Sequence, residues 1–209
     1  MDWSQIDFSN TWVMLTYAAA GIALAATAGM RAFLPLFVLG IAARLGRFEI
    51  SEGYHWLASD MALVTFGVAV VAETLADKIP VVDHVLDTVQ TIVKPAVGTM
   101  VAAAMFVQLS PVHATLLGLA VGGTVATGVH LAKAKVRVLS SLTTGTLLNP
   151  VLSFAEDVVS TVIAVVAVLA PLLALGFIAL LFGFAFHRLH RRYIQGSRAE
   201  PPIHGGNPP

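Results

Sequence analysis

The chain has 209 residues, of which 57% are hydrophobic and only 11% charged, with twelve Lys/Arg set against twelve Asp/Glu and a mean hydropathy of +0.82. A soluble domain carries about 25% charged residues, so this composition belongs to a membrane protein. The absence of cysteine excludes a disulfide scaffold, a zinc-finger module and a thiol enzyme, and the zero net charge offers nothing to attract nucleic acid.

Spanning the hydrocarbon core takes about 20 apolar residues. By that measure six or seven stretches qualify: Thr11–Gly29, Ala32–Ala43, Met61–Leu75, the short Ala96–Leu109, Val112–Leu131, the weak Val138–Phe154 and the long Val158–Phe186. Residues 1–10 are acidic and lack the basic start of a cleavable signal, so the first stretch reads as a retained span. Residues 11–194 read as one transmembrane domain, and the Gly/Pro-rich tail 195–209 as disordered. The expected fold is an all-α polytopic bundle with broken or re-entrant segments near Arg31–Pro35 and Gly145–Pro150. Pro35, Pro80, Asn149 and Pro150 mark the structural breaks, because proline removes a backbone donor and disfavours helix in the residue before it.

Basic residues between spans set the expected orientation. The cluster His187–Arg192 and the trio Lys133, Lys135 and Arg137 read as cytoplasmic, with Glu49, Glu52, Asp60, Glu156 and Asp157 on the other side. Seven crossings with the N-terminus outside fit this pattern, with Arg44 and Arg47 as misfits, and five or six crossings with re-entrant pieces fit almost as well. Asp83, Asp87, Gln90 and Lys94 recur at i, i+4, i+7 and i+11 opposite Val82, Val85, Leu86, Val89 and Val93, the pattern of a short amphipathic helix lying at the interface. Residues 48–59, with Tyr54, His55 and Trp56, resemble an interfacial loop anchored by aromatic rings.

An internal echo links Thr27–Arg31 with Ala126–His130, and Ala72–Glu73 with Ala155–Glu156. Inverted repeats of this kind are a transporter signature. Gly118, Gly122, Gly123 and Gly128 stud the fifth stretch and suit close helix packing.

A charge within a span is expensive, by roughly 2.5 to 3.5 kcal/mol on insertion scales, and therefore a site candidate. Arg31 stands beside the Pro35 break, where a guanidinium can clamp an anion or a carboxylate. Glu73 and Asp77 share a helical face, and Lys78 follows them. Glu73 lies deep enough to need a partner or a proton, so it could carry a proton or simply pair with Arg31 or His130. His130, Lys133 and Arg137 share another face, a stripe that serves either a phosphate group or plain anchoring at the cytoplasmic rim. Ser153, Glu156 and Asp157 follow the second break. No His-Glu-x-x-His, Gly-x-Ser-x-Gly or phosphate-loop motif occurs. No metal site, cofactor or enzymatic activity is therefore assigned.

The combination Gly29-Met30-Arg31-Ala32-Phe33-Leu34-Pro35-Leu36, Glu73, Asp77-Lys78-Ile79-Pro80, Asp83, Lys94-Pro95, Gly122-Gly123, His130, Lys133, Asn149-Pro150, Ser153 and Glu156-Asp157 resembles a bacterial family of small polytopic membrane proteins known as domain of unknown function 4126. The likeness runs from about Ala18 to Val159. It implies a multi-pass protein of the bacterial inner membrane and no particular activity. The residues point to a small transporter or channel for an ion or anionic solute, open to proton coupling, with Arg31, Glu73, Asp77, Lys78, His130, Ser153, Glu156 and Asp157 as binding residues. Two other readings stay open: a non-transporting lipid-binding or complex-assembly protein, and an intramembrane enzyme acting on lipid. Membrane lipids are expected partners, and a homo-oligomer is compatible with the sequence.

Overall fold

A computed structural model describes residues 8–77, 80–144 and 149–180, together with 183, 184 and 187. Side chains at 80–85, 87, 139, 141–144, 149 and 150 lie outside that description, as do Lys78, the stretch 145–148 and the tail 195–209. Residues up to Leu175 form one compact unit and those from Gly176 onward another.

The described residues are helical and contain no strand. α1 spans Phe8–Met30, α2 Leu34–Arg44, α3 Asp60–Ala76, α4 Pro80–Ala104, α5 Pro111–Gly118, α6 Thr124–Thr144 and α7 Asn149–Leu169, followed by α8, Pro171–Leu180. A 3-10 turn, Glu52–Ala58, precedes α3, and a π-helical turn, Leu119–Gly123, joins α5 to α6 in one run. Among the described residues three helical runs are long and apolar enough to cross a membrane, Thr11–Met30, Pro111–Val138 and Val151–Leu169, and the 3-10 turn with α3, bent by 66°, is so as a pair. Polarity is distributed as lipid demands. Val64, Val68, Val71 and Leu75 of α3 and Val151, Phe154, Val158, Val162 and Val165 of α7 are exposed, whereas Arg31, Glu73, Lys94, His130 and Lys133 are buried. The chain is a membrane-embedded helical bundle.

Small residues set the packing. A Cβ added at Gly122 would come within 2.2 Å of the Gly98 carbonyl oxygen of α4, and one at Gly29 within 2.5 Å of the Ala126 carbonyl of α6. Only glycine permits backbones this close. Gly118 and Gly123 also face α4, but Gly128 faces open space, so the packing role expected of all four glycines holds for three. Contacts of Gly98 with Gly122 and Ala126, and of Gly118 with Ala103, make α4 antiparallel to the α5–α6 run. Gly21 meets Ala102 and Met105, so α1 is antiparallel to α4 as well. α1 and α6 thus run toward the same end of the bundle, and the two echoing segments, Thr27–Arg31 and Ala126–His130, touch through Gly29. Equal direction is the reverse of what an inverted repeat requires.

Three further expectations change. Residues 81–94 are the first half of α4 rather than a separate surface helix, and Gln90 and Lys94 of their polar stripe are buried. The weak sixth stretch, Val138–Phe154, is not a span: α6 continues to Thr144 and α7 starts anew at Asn149. Glu156 and Asp157 stand inside α7 and bind cations of α6 and of the α1–α2 break, so they lie on the same side as Lys133 and Arg137 and not opposite them.

A buried ionic chain at one end of the bundle

The α1–α2 break is three residues long. Arg31 N–H makes the last helical bond, to the Thr27 carbonyl at 2.8 Å, and α2 begins at Leu34 with Pro35 in its first turn. Such a break leaves donors at the new N-terminus. Glu73, near the end of α3, satisfies them: Ala32 N–H donates to Oε1 at 2.9 Å and Phe33 N–H to Oε2 at 3.2 Å. Gln90 Nε2 of α4 adds a third bond, to Oε1 at 2.9 Å. Glu73 thereby takes the place of the carbonyl partners that the first N–H groups of α2 lack. Glu73 is 3% exposed.

Arg31, freed from helical geometry at the break, reaches two carboxylates. Nη1 lies 2.6 Å from Asp77 Oδ2, and Nη2 contacts Asp157 Oδ1. Asp77 stands one turn after Glu73 and caps the C-terminal end of α3. Its Oδ2 is also 3.9 Å from Arg137 Nη2. Arg137 continues to Glu156 Oε2 at 3.4 Å, and Lys133 Nζ binds the same oxygen at 2.9 Å. Lys133 closes the chain on the Met30 carbonyl, at 3.4 Å, where α1 ends. The sequence Asp157–Arg31–Asp77–Arg137–Glu156–Lys133 therefore alternates in charge and ties the α1–α2 break, α3, α6 and α7 together. Two donors lie beside it. Arg31 Nε and Ser153 Oγ, one turn before Glu156, are buried without a hydrogen-bond partner among the described residues.

A second cluster sits one helical turn further into the bundle along α4. Lys94 is fully buried. Its Nζ lies 3.4 Å from His130 Nδ1, and the other ring nitrogen, Nε2, lies 3.3 Å from Thr91 Oγ1. Pro95, next along α4, has no N–H, so the Thr91 carbonyl receives none from it. Thr99 Oγ1 bonds back to the Pro95 carbonyl at 2.8 Å.

Of the expected site residues, Arg31, Asp77, Glu156 and Asp157 meet in the ionic chain, Ser153 lies beside it, and Glu73 joins through the α2 terminus. His130 belongs to the second cluster. Lys78 and the side chains of Pro80, Asn149 and Pro150 lie outside the described residues. Lys133 and Arg137, which the sequence leaves between phosphate binding and anchoring, belong to the chain, while Gln90, Thr91 and Lys94 are not among the expected site residues. The signal for Gln90 and Lys94 was present in the polar stripe of residues 83–94, but it points inward. Among the described residues no three His, Asp or Glu side chains gather as a metal site.

A helical membrane bundle whose interior holds an alternating ionic chain at a helix break is thereby defined as a class. Residues 18–191 match the family described as Domain of unknown function (DUF4126), and the chain belongs to that family. No curated protein and no solved structure matches it.

Proposed function

We propose that the protein moves a small ion or anionic solute across the bacterial inner membrane, with the ionic chain as the gate at the cytoplasmic end. The supporting observation is the alternating chain itself. Removing six charged groups from water costs about as much as their mutual attraction returns, and apolar residues of equal volume hold helices together as well or better. Stability alone therefore does not account for these residues. Ion pairs do have one property that apolar packing lacks: each can be exchanged for a passing ion. The chain closes on the three-residue break between α1 and α2, and interrupted helices are where transporters bind charged cargo. The basic residues Lys133, Lys135 and Arg137 support a cytoplasmic placement of this end.

Purified protein in proteoliposomes provides the test. Flux of a panel of small anions and cations is expected, and it should fall at least tenfold in Arg31→Ala and Glu73→Gln. Flux absent for the whole panel, or unchanged in both variants, overturns the reading. A lipid-binding or assembly role has one observation in its favour, an apolar groove of about 510 Å³ at the opposite end, between Met14 and Tyr17 of α1 and Met105, Phe106 and Leu117. Its size suits an acyl chain, and copurified lipid lost on Tyr17→Trp, without any flux, would support that role instead.

A further inference from the structure

Beside the alternating chain, Lys94 and His130 place two basic groups in contact in the bundle interior. We propose that they form a single proton-binding site, holding one exchangeable proton between them, and that this pair rather than a carboxylate supplies the proton coupling of the transport reading, on which this use of the proton rests.

The argument is a count of donors and acceptors. An ammonium offers three donors and no acceptor, and an imidazolium offers two donors and no acceptor. The contact from Nζ to Nδ1 at 3.4 Å is a hydrogen bond only if one partner accepts. Two protonated groups there would set donor against donor, and charge against charge, in an interior that screens weakly. With the proton on Lys94, Nδ1 must accept, so the ring is neutral and carries its hydrogen on Nε2, which then donates to Thr91 Oγ1. With the proton on His130, an Nζ–H bond has broken and an Nδ1–H bond has formed, leaving an imidazolium facing a neutral amine. The pair carries one positive charge in either arrangement and none once the proton has left.

The carboxylates are poor candidates by comparison. Glu73 is fixed by three donors and a helix terminus, and Glu156 and Asp77 each face two cations. Protonating any of them would abandon those partners. Around the pair, α4 places Gln90, the link to Glu73 of α3, one turn before Lys94. α6 places Lys133 and Arg137 after His130, α1 contributes Arg31 at its end, and Asp157 and Glu156 of α7 neutralise these cations. The side chains of Asp83, His84 and Asp87 on α4 lie outside the described residues.

Selective ¹⁵N-histidine NMR of the full chain in lipid nanodiscs tests this without relying on transport, the His130 resonances being assigned with His130→Gln. The native protein at pH 7 is expected to show a neutral His130 ring with its hydrogen on Nε2. Lys94→Met removes the competing proton holder, and the doubly protonated ring should then appear at a higher pH than in the native protein. A native His130 that is doubly protonated at pH 7, or hydrogenated on Nδ1, overturns the proposal whatever the variant does. A native ring of the expected form whose titration is indifferent to Lys94→Met in folded protein also overturns it. In proteoliposomes, solute flux that persists without a pH gradient dependence in Lys94→Met and His130→Gln supports coupling through the pair. Flux that remains fully proton-dependent in both sinks this proposal and leaves the transport reading standing. The NMR signature without any flux leaves the proton site standing and sinks the transport reading.

Discussion

The two ends of the bundle both use charge, with opposite physics. At the end away from the ionic chain, Arg44 pairs with Asp60 in the open, with side chains 50% and 83% exposed. That end is otherwise held by neutral bonds. Ser51 N–H donates to the Ala104 carbonyl at 2.8 Å, Glu49 N–H to the Tyr17 hydroxyl at 3.1 Å, and His55 Nε2 lies 2.8 Å from the Ile50 carbonyl. A glycine at φ 68°, Gly46, makes the turn after α2. At the other end Arg31 and Asp77 have side chains only 3% exposed. An exposed pair is worth little because water competes for both partners. A buried pair adds little net stability when whole but costs much when halved. The first end is therefore tolerant and the second is committed.

This contrast can be broken by experiment, most forcefully at Arg31. Arg31→Leu takes the nearest cation from Asp77 and the bound guanidinium from Asp157, and should destabilise the protein by about 3–5 kcal/mol in detergent-induced unfolding from mixed micelles. Adding Asp77→Leu and Asp157→Leu should recover much of that loss while flux stays absent. If the triple variant is no more stable than the single one, the chain is a structural necessity and the gate reading weakens. Gly122→Val drives a side chain into the Gly98 carbonyl and should cost about 1–3 kcal/mol in the same assay. Glu73→Gln keeps one acceptor oxygen for the α2 terminus and loses the charge, for an expected loss of about 1–2 kcal/mol. Arg44→Ala should change stability by less than about 1 kcal/mol, and whatever it changes should vanish in high salt.

Much of this architecture can be read in the sequence, because lipid imposes a blunt rule. Long apolar stretches place the helices, and Pro35 with Arg31 places the first break. That Arg31, Asp77, Glu156 and Asp157 need partners follows from the cost of leaving any of them alone in a bilayer, but which partners they take does not. The departures have a physical cause. The stripe Asp83–Asp87–Gln90–Lys94 reads as the polar face of an interfacial helix, turned to water. In lipid its described members turn inward: Gln90 is buried, and Lys94 is one of the most buried side chains. Likewise Glu156 and Asp157 were assigned to a side by counting charges between spans, yet they lie within a helix and answer to local partners. The Lys94–His130 contact could not be read at all, because nothing in a linear sequence fixes which residue of α6 stands opposite a given residue of α4.

That registration passes through the wide turn at Leu119–Gly123. A π turn contains one residue more than the α geometry on either side of it, and the surplus is absorbed within the turn. Deleting one residue there would let the run straighten into uninterrupted α-helix with its downstream face nearly unchanged. Deleting one between Thr124 and Val129, where the helix is ordinary, would swing everything beyond by about 100° about the axis. His130, Lys133 and Arg137 would then swing together, their spacing intact and their targets gone. The wide turn thus forgives a lost residue that the helix beyond it does not.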